Sequence, residues 1–150
     1  HPQNLFVAGF IGSPKMNFLP GLATAVAEDG LEVAVTGGRK VRVDVVPGNT
    51  KVGDKVTLGL RAEHIHENSA GSEQFSGQVN LVEHLGEANF IYVTLSGGQD
   101  IVVRGDGNRN VDIGQEIVLS AHSNAFHVFD ADGNALRRLK PGNLVSSRQH

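Results

Sequence analysis

Short runs of alternating apolar and polar residues, cut off repeatedly by glycine-bearing turns, leave this chain little room to be anything but antiparallel strands. Leu31, Val33 and Val35 alternate with polar or small neighbours, as do Val41, Val43 and Val45, and then Val56, Leu58 and Leu60. Between such runs stand Glu28-Asp29-Gly30, Thr36-Gly37-Gly38-Arg39, Pro47-Gly48-Asn49, Val52-Gly53-Asp54-Lys55 and, later, Leu85-Gly86-Glu87-Ala88, Ser96-Gly97-Gly98-Gln99 and Ile113-Gly114-Gln115-Glu116. Asp-Gly and Gly-Gly pairs between alternating runs are hairpin signals. The first three strands read as a meander over residues 22–46, and a longer strand over residues 75–85 is expected to bend at Gly77. Residues 90–95, 101–104, 117–121 and 126–129 supply the remaining strands, with a turn at residues 130–134. The fold class is therefore all-β, as a small barrel or sandwich. The turn-plus-strand units around Gly53 and Gly114 resemble one another, which points to an internal duplication.

The first residues break the pattern. Asn4 is a good helix N-cap, and Phe6, Val7, Phe10 and Ile11 recur at helical spacing over residues 4–12. Gly12, Ser13 and Pro14 stop that helix. Met16, Phe18 and Leu19 follow in an extended segment. Two readings remain open: a first helix packed on its own core, or a joint that ends one domain and leads into the next. In the second reading Phe6, Phe10 and Ile11 are partly exposed here, because their partner surface lies in another domain. Residues 140–150 form a polar tail.

Several functions are excluded. The net charge of -3 and pI near 6.2 are the wrong sign for a nucleic-acid surface. There is no cysteine for disulfide or thiolate chemistry. No apolar run approaches the roughly 20 residues that span a bilayer, and no signal peptide is expected. Leu95–Gln99 spells LSGGQ, the signature pentapeptide of ABC-transporter ATPases. There it begins a helix whose backbone N–H groups face phosphate. Here it lies between two alternating runs, so a hairpin turn is the expected structure. The phosphate loop G-x-x-x-x-G-K-[ST] is absent, as neither residues 12–15 nor residues 37–40 have its spacing.

His64 and His66 would share a face if they lay in one strand, yet no cysteine and no H-E-x-x-H helix supports zinc. Scattered imidazoles are expected. A Ser-His-Asp triad has no G-x-S-x-G elbow behind it. Arg61, Glu63 and His64 form a compact polar cluster at a strand end, expected to be an ion pair holding Arg61 against a carboxylate.

Four stretches carry a resemblance: VAGFIGSPKMNFL from Val7, LGLRAEHI from Leu58, VEHLGEANFIYVTL from Val82 and FHVFDADGNAL from Phe126. Together they resemble the C-terminal part of the ATPase subunits of sugar-importing ABC transporters, in the maltose, polyol and glycerol-phosphate importer group. The resemblance implies an OB-like barrel of short antiparallel strands with one N-terminal helix. It also implies a non-catalytic regulatory and dimerisation domain at the cytoplasmic face of the membrane. On this reading residues 1–19 are a connecting helix and lead-in from an ATPase domain, residues 20–139 the OB-like domain, and residues 140–150 a tail. No cofactor is implied for the chain itself, since ATP and Mg belong to the ATPase domain. The implied partners are a second copy, that ATPase domain, the transporter's membrane subunits and, in some members, a cytoplasmic regulator protein, with no nucleic acid. The residues that match family motifs are Lys15, Asn17 and Phe18 at the joint, Arg61, Glu63 and His64 after the strand, and Gly86 at a turn. Molybdate-type relatives of the barrel carry S-A-R-N-x-L-x-G, which is missing here, and Ser76-Gly77-Gln78-Val79 keeps only its end. That departure speaks against anion sensing of their kind. The alternative is a sensor domain that binds a small ligand or oxyanion in a barrel cleft.

Overall fold

A computed structural model describes residues 16–67, 70–106 and 111–139. The helix expected over residues 4–12, the exposure of Phe6, Phe10 and Ile11, the joint residue Lys15 and the tail lie outside the described residues. Nine strands follow in order: β1 (Met16–Ala27), β2 (Gly30–Val35), β3 (Lys40–Val43), β4 (Lys55–Arg61), β5 (Glu73–Leu85), β6 (Ala88–Leu95), β7 (Asp100–Asp106), β8 (Glu116–Ala121) and β9 (His127–Phe129). They make two antiparallel sheets, ordered β3-β2-β1-β4-β9 and β7-β6-β5-β8. The described chain is all-β and OB-like, with only two 3-10 turns, Ala62–His64 and Ser123–Ala125.

The alternation read from the sequence is the alternation of burial. Val33, Val41, Val43, Leu58 and Leu60 point inward from the first sheet, and Phe75, Val79, Ile91, Val93, Val103 and Leu119 from the second. With Phe126 and Val128 they form one continuous core.

Three boundaries differ from expectation. β1 begins at Met16, so four residues assigned to the lead-in belong to the barrel, and the meander starts there rather than at Leu22. Proline is tolerated inside this central strand because Pro20 pairs only with Thr57 of β4, and pairing with β2 begins at Gly21. β3 stops at Val43, and Val45 makes an isolated bridge with Arg138. β5 is irregular between Val79 and Leu81 instead of bending at Gly77.

The repetition around Gly53 and Gly114 extends through four strands. β1 lies between β2 and β4 as β5 lies between β6 and β8. Both central strands carry a register shift, between Ala23 and Ala25 and between Val79 and Leu81. Each shifted residue is caught by the matching turn: Gly53 N–H donates to Ala23 O at 2.8 Å, and Gly114 N–H to Val79 O at 2.7 Å. β4 and β8 both run into a 3-10 turn. The strand ends then cross over, because β9 pairs with β4 while His66 bridges to Ser120 of β8.

Two devices join the halves. The Asn17 Oδ1 accepts from Val102 N–H at 2.7 Å, while its Nδ2 donates to Val102 O at 2.8 Å and to Leu60 O at 3.1 Å. Glu73, its counterpart in the second half, accepts from Arg42 N–H at 2.7 Å across the same boundary. The two Gly-Gly turns also lie against each other. A Cβ at Gly97 would sit 2.0 Å from Thr36 O, and one at Gly37 would sit 2.8 Å from Gly97 Cα. Only hydrogen fits at that seam.

Candidate functional site

The strand that carries LGLR ends at a corner where β4, the first 3-10 turn, β9 and the segment after it converge. Arg61 closes β4, Glu63 and His64 follow in the 3-10 turn, and His127 opens β9 opposite Gly59. Arg138 reaches the same corner, its terminal nitrogen donating to Asn124 O at 2.7 Å. The expected ion pair of Arg61 is absent among the described residues. Among the described residues no carboxylate lies within ion-pairing distance of Arg61 or Arg138, and the bridges present involve Lys40 and Arg42 only. The buried Nε of Arg138 has no hydrogen-bond partner among the described residues.

Basic groups therefore face one another here. Burial pushes the His127 imidazole down from 6.5 to about 4, helped by electrostatic repulsion from Arg138 and then Arg61, with His64 also nearby. Burial, and then Arg61, also lower the Arg138 guanidinium. His127 is thus neutral at physiological pH, and the corner presents guanidinium groups without a counter-charge from the described chain.

The sequence-derived positions separate into roles. Asn17 is buried and holds β1 and β4 to β7 through its three hydrogen bonds. Phe18 packs edge-on to Phe129, with ring centroids 6.2 Å apart. Both lie on the same end of the first sheet as Arg61, because Met16 pairs with Arg61 and Phe18 with Gly59. Glu63 and His64 are exposed at that end. Gly86 stands apart, at the tip of the β5–β6 hairpin, where φ is +76° and a Cβ would meet nothing within 4 Å. Its glycine serves the turn.

His64 and His66 do not share a strand face, since one lies in the 3-10 turn and the other in the bridge to β8. His66 stacks edge-on to His122 at 5.4 Å instead. No cluster able to hold a metal occurs among the described residues. LSGGQ is a hairpin turn: Gly98 N–H donates to Leu95 O and Leu95 N–H to Gln99 O, both at 2.8 Å. Sequence reasoning missed His127 and Arg138 as neighbours of Arg61, because both come from the far end of the chain. No helix is long and apolar enough to cross a membrane among the described residues.

Residues 12–65 match the MalK OB fold domain family, and residues 58–129 match the TOBE domain family. The maltose/maltodextrin import ATP-binding protein MalK of Vibrio cholerae serotype O1 is 36% identical over 140 residues, which is 93% of this chain and 38% of that protein. The lactose transport ATP-binding protein LacK of Rhizobium radiobacter is 36% identical over 139 residues, 91% of this chain and 38% of its own length. The chain thus spans less than two-fifths of these relatives. A crystal structure of the cytoplasmic molybdate-binding protein ModG superposes with a TM-score of 0.64 at 15% identity, covering 75% of this chain and 94% of that one. At that identity the likeness concerns the fold. Two adjoining domain matches, relatives that cover nearly the whole chain and the doubled antiparallel topology agree: the chain belongs to the MalK-type OB fold and TOBE domain family.

Proposed function

We propose that this chain is the non-catalytic regulatory and dimerisation domain of the ATP-binding subunit of an ABC importer for sugars, polyols or glycerol phosphate. The observation that carries this reading is the match to import ATP-binding proteins over 93% of the chain. The hairpin at Leu95–Gln99 supports the non-catalytic part, because a strand-to-strand turn does not aim a helix N-terminus at phosphate. ATP and Mg would be held by the ATPase domain of the same subunit, the residues before β1 forming the link to it. The subunit would work at the cytoplasmic face of the membrane, against the transporter's membrane subunits and in some settings a regulator protein.

Mechanically, a pair of such domains keeps two ATPase domains close while their nucleotide sites open, so reclosure stays intramolecular and effectively concentrated. The Arg61 corner suits contact with an acidic surface, since a carboxylate brought there would meet guanidinium groups that pair with none among the described residues. The test compares the parent subunit with and without this chain. ATP hydrolysis should survive removal while self-association in sedimentation weakens, and the chain alone should show no nucleotide turnover. Nucleotide binding by the chain, abolished by Ser96→Ala, would overturn the reading.

A further inference from the structure

The seam between the two Gly-Gly turns opens on one side into a cleft of about 460 Å³. Both halves build it: Arg39 and Lys40 come from the first, and Ser76, Ser96 and Gln99 from the second. Its chemistry is one-sided. No carboxylate lines it, although the whole chain carries more acidic than basic residues. The Arg39 Nε donates to Gln74 O at 2.6 Å, which fixes the guanidinium at the cleft. Its terminal nitrogens have no partner among the described residues. Lys40 Nζ is 4.0 Å from Glu32, at the limit of ion pairing and exposed. Gln99 also lines the cleft, with its Nε2 buried away from solvent and without a hydrogen-bond partner among the described residues. The Ser76 and Ser96 hydroxyls lie 3.1 Å apart and hold the rim together.

A guanidinium with free terminal nitrogens and a neighbouring ammonium, at a cleft that no carboxylate lines, call for a ligand group that is all acceptor, and phosphate oxygens are that. The volume falls in the range of small-molecule sites and exceeds the needs of a bare ion. The hydroxyls of Thr36, Ser76 and Ser96 at the rim suit ligand hydroxyl groups, which both donate and accept.

We propose that the cleft between the Gly-Gly turns binds a small phosphate ester bearing hydroxyl groups, of the sugar-phosphate class. Arg39 and Lys40 take the phosphate and the serine rim takes the hydroxyls. Neither Arg39 nor Lys40 belongs to the stretch matched to the S-A-R-N string or to the Arg61 corner, and the inference stands independently of the importer reading. Because both halves line the cleft, an occupied site would brace the seam.

The test is an amide chemical-shift titration of the 150-residue chain with glucose 6-phosphate, inorganic phosphate and glucose. Glucose 6-phosphate should give saturable shifts at residues 36–40 and 96–99, with inorganic phosphate about tenfold weaker at the same residues and glucose silent, about tenfold being 1.4 kcal/mol. Arg39→Gln and, separately, Lys40→Gln should each weaken binding about tenfold, while Arg104→Gln on exposed β7 leaves it unchanged. No saturable shift up to about 10 mM would overturn the proposal. So would equal responses to glucose and its phosphate, equal responses to glucose 6-phosphate and inorganic phosphate, or indifference to both Arg39→Gln and Lys40→Gln in variants whose spectra remain folded.

Discussion

The two halves of the barrel share a strand order, a register shift and a pair of turns, yet the outward side chains at matching positions differ. In the first half Pro20, Leu22 and Ala34 point outward on β1 and β2, with Leu22 46% exposed. In the second, the equivalent surface is tied by polar contacts. Thr94 donates to Asp100 at 2.6 Å, Asn80 bonds to Thr94, and Gln78 donates to Gly114 O at 3.0 Å. The clamps diverge as well: Asn17 is buried with three hydrogen bonds, whereas Glu73 makes one at an exposed site. The corners follow suit, basic at Arg61 and His127 and paired imidazoles at His66 and His122. Backbone path depends on turns and inward apolar residues, and these match between halves. Outward positions carry no such constraint, and there the halves have become different surfaces.

The largest effect expected from breaking this relation is at the seam. Gly97→Ala forces a methyl into the Thr36 carbonyl, and nothing there can give except backbone. A loss of about 3 to 4 kcal/mol is expected in chemical denaturation. Gly98→Ala, one residue on, meets open space and pays only for its φ of +94°, so about 1 kcal/mol is expected. Equal losses at the two positions would mean that the halves do not meet through their turns.

The clamps come next. Asn17→Ala leaves the Val102 N–H and C=O buried without that partner, and a loss of about 3 kcal/mol is expected. Glu73→Ala, its counterpart, exposes Arg42 N–H to water and should cost less than about 0.5 kcal/mol. Similar costs would erase the distinction between a buried and an exposed clamp.

The corners differ in their pH response. His127 titrates near 4 in the folded chain and near 6.5 when unfolded, so the unfolded state binds more protons between those values. Stability is fully present above about pH 6.5 and falls as pH drops towards 4, by about 3 kcal/mol. His127→Asn should flatten that limb of the denaturation profile. An unchanged slope would show that the imidazole is not held neutral by burial and its cationic neighbours.

The smallest effect is at the outer faces. Leu22→Thr removes an exposed apolar side chain and should change stability by less than about 0.5 kcal/mol. A larger loss would mean that this face is covered in the folded chain.

What could be read from the residues, and what could not, divides along physical lines. Alternation and turn chemistry act between neighbours. That is why Leu31–Val35, Val56–Leu60 and Phe90–Leu95 were legible as strands, and why LSGGQ was recognisable as a turn. The four stretches from Val7, Leu58, Val82 and Phe126 sufficed to name the family. Contacts between distant residues were not legible. Asn17 looked like part of a joint, and only its placement beside Val102 made it a clamp between the halves. Arg61 looked like half of an ion pair, and only the return of β9 surrounded it with His127 and Arg138. Gly37 and Gly97 each read as an ordinary hairpin glycine. That the two turns stack, with room for a hydrogen and nothing larger, follows from how the sheets close on one core. Local sequence determined the strands and turns because their causes lie within a few residues. The seam, the clamps and the basic corner were decided by closure of the barrel, which brings together residues separated by most of the chain.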